Sequence, residues 1–145
     1  MSYFSVEKNA MMIQSPKHSV FIVDDDEDDR MSIRDAFMEN KHSHNYVFMQ
    51  NGNQLIGHFS DDSIKKHPSL ILLDLNMPGM DGREVLKEIK KNDDLKPIPV
   101  IVVTTSSSSR DREASYKLGA NCFVTKPDSY QALVALTDAI AKLWL

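Results

Sequence analysis

Little in this 145-residue chain speaks for cross-linking. Cys122 is its single cysteine, so it holds no disulfide framework, and a lone thiol fits a reducing compartment. No apolar run approaches the roughly 20 residues a helix needs to cross a bilayer. The amino terminus lacks the basic-then-apolar order of a signal peptide. Basic residues do not cluster and the net charge is -4, which argues against a nucleic-acid surface. A cytoplasmic protein is expected, with neither nucleic acid nor membrane as partner. Repeats and low-complexity segments are also lacking.

What is there is ordinary for one globular domain. Hydrophobic residues make up 41% and charged residues 26%, and the length suffices to bury a core. Residues 1–17 carry Pro16 and show no sustained period apart from a weak helical pattern at Val6–Met12. They are expected to be a flexible leader. Residues 18–145 are expected to form the domain, with no output domain after it.

The organising stretch is Leu70-Ile71-Leu72-Leu73-Asp74. Four aliphatic residues running without a break into one carboxylate suit a strand buried on both faces. Asn76, Pro78, Gly79, Asp81 and Gly82 then turn the chain, and helical spacing resumes at Arg83. An Asp at a strand end is often only a turn former, so Asp74 alone decides nothing. The same unit recurs along the chain, however. Ser19–Val23 is a second buried strand, and it runs into six consecutive acids, Asp24 to Asp29. A helix start accounts for Asp26 to Asp29, since carboxylates favour a helix N-terminus. It accounts less well for Asp24 and Asp25, whose crowding a bound cation would relieve.

The remaining elements follow in order. Ile33, Ala36 and Phe37 mark one face of a first helix. Tyr46–Met49 is a short strand. Gln54–Lys66 is a poor helix by propensity, with Gly57 and Ser60-Asp61-Asp62 inside it, and is expected to be short or irregular. Arg83–Lys91 is a third helix and Val100–Val103 a β-branched strand ended by Thr104. The serine run Ser106–Ser109 suits a loop that caps a fourth helix, Arg110–Leu118. Cys122–Thr125 is the fifth strand, ended by Lys126-Pro127, and a fifth helix runs from Ser129. Strand and helix alternate throughout. The fold class expected is therefore α/β, a five-stranded parallel sheet with helices on both faces. The five histidines are expected at the surface, without metal-ligand spacing.

In a parallel sheet all strand ends share one edge. Asp24, Asp25, Asp74, Thr104 and Lys126 therefore gather there. A hard cation such as Mg²⁺ binds a few carboxylates and keeps open positions for phosphate. An ammonium and a hydroxyl can hold phosphoryl oxygens, and a carboxylate can accept a phosphoryl group.

These residues carry a resemblance. Val23-Asp24-Asp25, Leu73-Asp74-Leu75-Asn76-Met77-Pro78 with Asp81-Gly82, Val103-Thr104 and Lys126-Pro127 resemble the receiver domain of two-component response regulators, from about Ser19 to Leu145. Arg83-Glu84-Val85-Leu86, Tyr116–Cys122 and Leu143-Trp144-Leu145 are similar to the single-domain regulators of cyanobacterial phytochromes. The resemblance implies a flavodoxin-like (βα)5 fold with strand order 2-1-3-4-5. It implies Asp74 as phosphoacceptor and metal ligand, Asp25 as direct Mg²⁺ ligand (Mn²⁺ being an alternative) and Asp24 as a ligand through water. Asn76 would offer its backbone carbonyl to the metal. Lys126 and Thr104 would bind phosphoryl oxygens, Phe123 would be the switch aromatic, and the Lys126–Pro127 bond would be cis. Phe123 replaces the tyrosine of the chemotaxis type, and Thr105 and Ser106 leave the phosphate edge less shielded.

The implied partners are a sensor histidine kinase or phosphotransfer protein and a downstream protein target. A homodimer through helix four, strand five and helix five is a further expectation. On helix five, Tyr130, Leu133, Val134, Ile140, Ala141 and Trp144 form a core stripe. Leu136 and Leu143 lie on its flank, either as a widened core stripe or as an interface. Two other functions compete. One is a Mg²⁺-dependent phosphatase of the haloacid-dehalogenase type, which usually carries an acid where Asn76 stands. The other is a receiver-like module that is never phosphorylated, for which the presence of Asp74, Asp25 and Lys126 is unfavourable.

Overall fold

The structure, a computed structural model, describes residues 17–61 and 67–145. Ten elements alternate along the described residues. They are β1 (Ser19–Val23), α1 (Glu27–Glu39), β2 (Asn45–Met49), α2 (Gly52–Ser60), β3 (Leu70–Leu73), α3 (Gly82–Lys91), β4 (Val100–Thr104), α4 (Ser109–Lys117), β5 (Cys122–Thr125) and α5 (Tyr130–Trp144). All four strand pairs are parallel, in the order β2-β1-β3-β4-β5. This is the α/β fold and strand order that the sequence and its resemblance imply. All of the expected leader but Lys17, with its weak helix at Val6–Met12, lies outside the described residues, as does the end of the predicted second helix, whose described part closes at Ser60.

The continuous apolar strands have a simple cause. Alternate side chains of one strand enter two separate cores. Phe21, Val23, Ile71, Leu73, Val100 and Val102 point to one face, where Leu55 of α2 and Val85, Leu86 and Ile89 of α3 cover them. Val20, Ile22, Leu70, Leu72, Ile101 and Val103 point to the other, against Ile33 and Phe37 of α1 and Ile140 and Ala141 of α5. α4 contributes least to the core: Ser115 is its only buried residue.

Helix starts are fixed by short polar caps. Asp26 caps α1, accepting from the N–H groups of Asp28 and Asp29. Asn51 caps α2, Asp81 caps α3, Ser108 caps α4 and Ser129 caps α5. The cap of α4 from within the serine run is the one the sequence suggests.

Three expectations need correction. No cis peptide bond occurs among the described residues, so Lys126–Pro127 is trans, the lower-energy form even before proline. Tyr130 is 44% exposed; standing in the first turn of α5, it lies outside the core stripe assigned to it. The histidines are less exposed than expected. His18, His42, His44 and His58 are all half-buried. His42 meets Asp138 of α5 at 2.8 Å, and His58 stands edge-on to Phe21. These partners are brought together by the fold and are distant in sequence.

Candidate functional site

The strand order reverses between β1 and β3. The chain leaves β1 for β2 on one side and returns to β3 on the other. Ligands in such sheets bind in the crevice beyond the carboxyl ends at that point. Val23 and Leu73 are paired in register, so Asp24 and Asp74 are the next residues on two adjacent strands. The Asp74 N–H donates to the Val23 carbonyl at 3.0 Å, and the Asp24 N–H to the Met49 carbonyl at 3.0 Å. Backbone pairing thus carries both carboxylates one step past the hydrophobic layer.

Asp24 and Asp74 are buried and Asp25 is exposed. One ligand oxygen from each lies within 4.8 Å of the others. That spacing and donor set suit a hard divalent cation, which takes carboxylate oxygen and retains water. Asn76 is exposed beside them. Its N–H donates to Asp74 Oδ1 at 3.3 Å, and its side-chain amide reaches Thr104 Oγ1 at 3.5 Å.

The tight turn after Asp74 depends on glycine. Gly79 has φ +77°, a left-handed conformation that residues with a Cβ rarely adopt. At Gly82 a Cβ would stand 2.3 Å from the Asp74 carbonyl oxygen and 2.7 Å from Leu75 Cα. The start of α3 therefore lies directly against the backbone of the acceptor residue.

Lys126, at the end of β5, holds the only cation in contact with these acids among the described residues. Its Nζ lies 2.8 Å from Asp24 Oδ2, 2.7 Å from Asp29 Oδ2 and 3.4 Å from Asp74 Oδ2. Burial alone would lower the Lys126 ammonium pKa. The hydrogen bonds to Asp24 and Asp29 and the charges of Asp24 and Asp74 outweigh it, and hold the group above the ordinary lysine value. Asp24 moves up from the usual carboxylate value as well. Its burial outweighs the pull of Lys126 and of the Asp26 N–H, and the charge of Asp74 adds to the rise. The asymmetry is physical: one ammonium serves three carboxylates, so it gains from each while they share it.

Thr104 is fully buried at the end of β4 and its Oγ1 accepts from the Ser106 N–H at 3.4 Å. Phe123 is 4% exposed and packs in the core under α3, with the Arg112 guanidinium 5.3 Å from its ring centre. Phe123 pairs with Val102 and Thr125 with Thr104, so Phe123 and Thr104 share one face of the sheet. On α5, Leu136 is half-buried against the second core, whereas Leu143 is 78% exposed. Leu136 thus belongs to the widened core stripe and Leu143 does not.

Two residues at this edge went unassigned from sequence. Asp29 reaches Lys126, and the Arg30 guanidinium, buried, donates from Nη1 to the Asp24 carbonyl at 2.7 Å while its Nε has no partner. The signal for Asp29 was its place three residues after the cap Asp26, where a side chain faces back toward the strand end. Another unassigned link joins α3 to α4: Arg83 donates to Asp111 Oδ1 at 2.7 Å, and Ser106 Oγ to Asp111 Oδ2 at 2.6 Å. Those two hydrogen bonds hold the Asp111 carboxyl below its ordinary value.

Comparison with known proteins agrees with this arrangement. Residues 20–138 match the family model of the response regulator receiver domain. Response regulator Rcp1 of Synechocystis is 36% identical over 134 residues, which span 90% of this chain and 91% of Rcp1. The crystal structure of the Mn²⁺-bound form of Rcp1 superposes with a TM-score of 0.80, covering 88% of this chain and 94% of that one. The phosphorylated cyanobacterial phytochrome response regulator RcpA, 35% identical, superposes with a TM-score of 0.82 over 89% of this chain and 94% of its own. No helix among the described residues is long and apolar enough to cross a membrane.

Proposed function

The chain belongs to the response regulator receiver domain family, a signalling family and not one of small-molecule turnover enzymes, and on that premise we propose that it accepts a phosphoryl group on Asp74 from a phosphohistidine. The observation that carries this reading is the convergence of Asp74, Asp24 and Asp25 with Lys126 and Thr104 at the strand-order reversal.

In the transfer, an oxygen of Asp74 forms a bond to phosphorus as the phosphorus–nitrogen bond of the donor breaks. The imidazole leaves with the electron pair and takes its proton from water. Little covalent work falls to the protein, so positioning and charge neutralisation dominate. Asp25 and Asp74, with Asp24 acting through water and Asn76 through its backbone carbonyl, would hold a divalent cation. Mg²⁺, or Mn²⁺ as in the Rcp1 structure, would supply positive charge against the crowded carboxylates and the incoming anion. Lys126 supplies a second positive charge within 3.4 Å of the acceptor oxygen. Thr104 holds a hydroxyl on the other side, where Asn76 already reaches it. The RcpA structure, phosphorylated, supports the same chemistry on a relative of this shape.

The upstream partner in this reading is a sensor histidine kinase or a phosphotransfer protein, and the output is contact with a downstream protein. A homodimer through α4, β5 and α5 rests on Leu143, exposed on α5. Light scattering of Leu143→Glu tests it: an unchanged mass with and without a phosphoryl mimic removes the dimer.

Phosphoramidate, a small phosphorus–nitrogen donor, tests the main reading. Wild type acquires a hydroxylamine-sensitive label and Asp74→Asn does not. Equal labelling of the variant would refute the assignment. Beryllofluoride binding that depends on Asp74 would separate this reading from a module that is never phosphorylated.

A further inference from the structure

Lys126 makes its shortest contact away from the acceptor. Its Nζ stands 2.7 Å from Asp29, 2.8 Å from Asp24 and 3.4 Å from Asp74. The last is long for a charge-assisted hydrogen bond, and the first two are not. An ammonium has three N–H donors: one makes a short hydrogen bond to Asp29 and one a long hydrogen bond to Asp74, while Asp24 stands at ion-pair distance.

The two competitors differ in kind. Asp24 is one of the three carboxylates within 4.8 Å of one another, so a cation bound there would draw on its charge and loosen its hold on lysine. Asp29 is not in that cluster. It belongs to the first turn of α1, its side chain is 41% exposed, and it lines a small cavity with Ser32 and Ile33 of α1, Val103, Pro127 and Leu133. Asp29 therefore keeps its claim on Lys126 whatever occupies the carboxylate cluster. Lysine suits such a role, being a point charge on a flexible stem that can trade partners.

We propose that Asp29 is a positioning residue that acts through Lys126, holding its ammonium on the α1 side and so weakening the site's grip on a phosphoryl group at Asp74. This inference rests on the reading of Asp74 as phosphoacceptor. Asp29 touches neither the phosphoryl group nor the metal cluster; it sets how available the lysine is. A phosphoryl group must take Lys126 from Asp29, and the partition between the two sets affinity for the phosphoryl mimic and the lifetime of the acyl phosphate.

The test is a double-mutant cycle on the full chain, with beryllofluoride titrated at saturating Mg²⁺ and followed by fluorine NMR. Asp29→Asn keeps size and removes the competing charge. Because that pair is partly exposed, the expected gain in beryllofluoride affinity is about three- to tenfold. In a Lys126→Ala background the same substitution has no effect, because its route has gone. Asp29→Glu brings the affinity back toward wild type. A structural role would move the thermal midpoint and leave this pattern absent.

Equal affinity of wild type and Asp29→Asn overturns the proposal. An equal gain with and without Lys126 also overturns it, since the effect would then be general charge reduction. If wild type itself binds no beryllofluoride, the reading of Asp74 fails and this inference falls with it.

Discussion

Replacing Lys126 with methionine removes the charge and leaves an apolar stem of similar length. Two of the three carboxylates it touches are buried, Asp24 with 3% of its side chain exposed and Asp74 with 7%, and Lys126 itself is 15% exposed. Leaving one partner of a buried pair without its counter-charge costs about 3–5 kcal/mol. The contact with Asp29, 41% exposed, adds at most about 1 kcal/mol after solvent screening. Partial exposure of the lysine pulls the total to the lower end, about 3 kcal/mol in chelator. With a urea slope of about 1–3 kcal/mol per molar, the midpoint falls by about 1–3 M. Asp74→Asn moves the other way, because it relieves repulsion among carboxylates that share one cation. Magnesium, which neutralises the same acids, narrows the gap between Lys126→Met and wild type. Urea unfolding by circular dichroism, with chelator and with Mg²⁺, reads all of this. A Lys126→Met midpoint within 0.3 M of wild type (about 0.5 kcal/mol on that slope) in chelator would refute the reasoning, as would destabilisation by Asp74→Asn.

Three further predictions concern the fold that carries the site. Gly82→Ala puts a Cβ against the backbone of Asp74 and Leu75, which cannot rotate aside; a loss of about 2–3 kcal/mol in urea unfolding is expected, with weakened Mn²⁺ binding, and a loss under about 0.5 kcal/mol would contradict the close approach. The Tyr46 hydroxyl, which donates to the His42 carbonyl, is pushed up to about 12 by burial. The folded state then keeps that proton where the unfolded chain loses it, so stability is full below about pH 10 and declines toward pH 12; Tyr46→Phe flattens this decline, and an unchanged alkaline profile would count against it. Asp111 is held below its ordinary value by Ser106 and Arg83. Its contribution is present above the unfolded carboxylate value near 4 and fades as pH falls through the lower folded one. Ser106→Ala raises the Asp111 midpoint in a carboxyl NMR titration, and an unmoved midpoint would show the bond to be absent in solution.

The strands were legible because each is buried on both faces. Leu70–Leu73 and Val100–Val103 need no alternation when both cores take their side chains. The site was legible for the same reason, since a polar residue that ends an apolar run in a parallel sheet is placed at one edge by the fold itself. Asp29 was missed because its acid run already had a sufficient explanation in the helix N-terminus. Only the three-dimensional position of Lys126, 97 residues away, gives it a second partner. Leu136 and Leu143, two turns apart on one helix flank, looked equivalent, yet one packs on the core and the other is exposed. The histidines show the same limit. His42 and Asp138 are 96 residues apart in the chain, and nothing in local pattern pairs them.

The central claim is that Asp74 takes a phosphoryl group with the help of a divalent cation. Intact-protein mass after incubation with acetyl phosphate tests it most directly. The account predicts the mass of one added phosphoryl group with Mg²⁺, none with chelator, and none in Asp74→Asn. An equal gain in chelator, or an equal gain in Asp74→Asn, would contradict it.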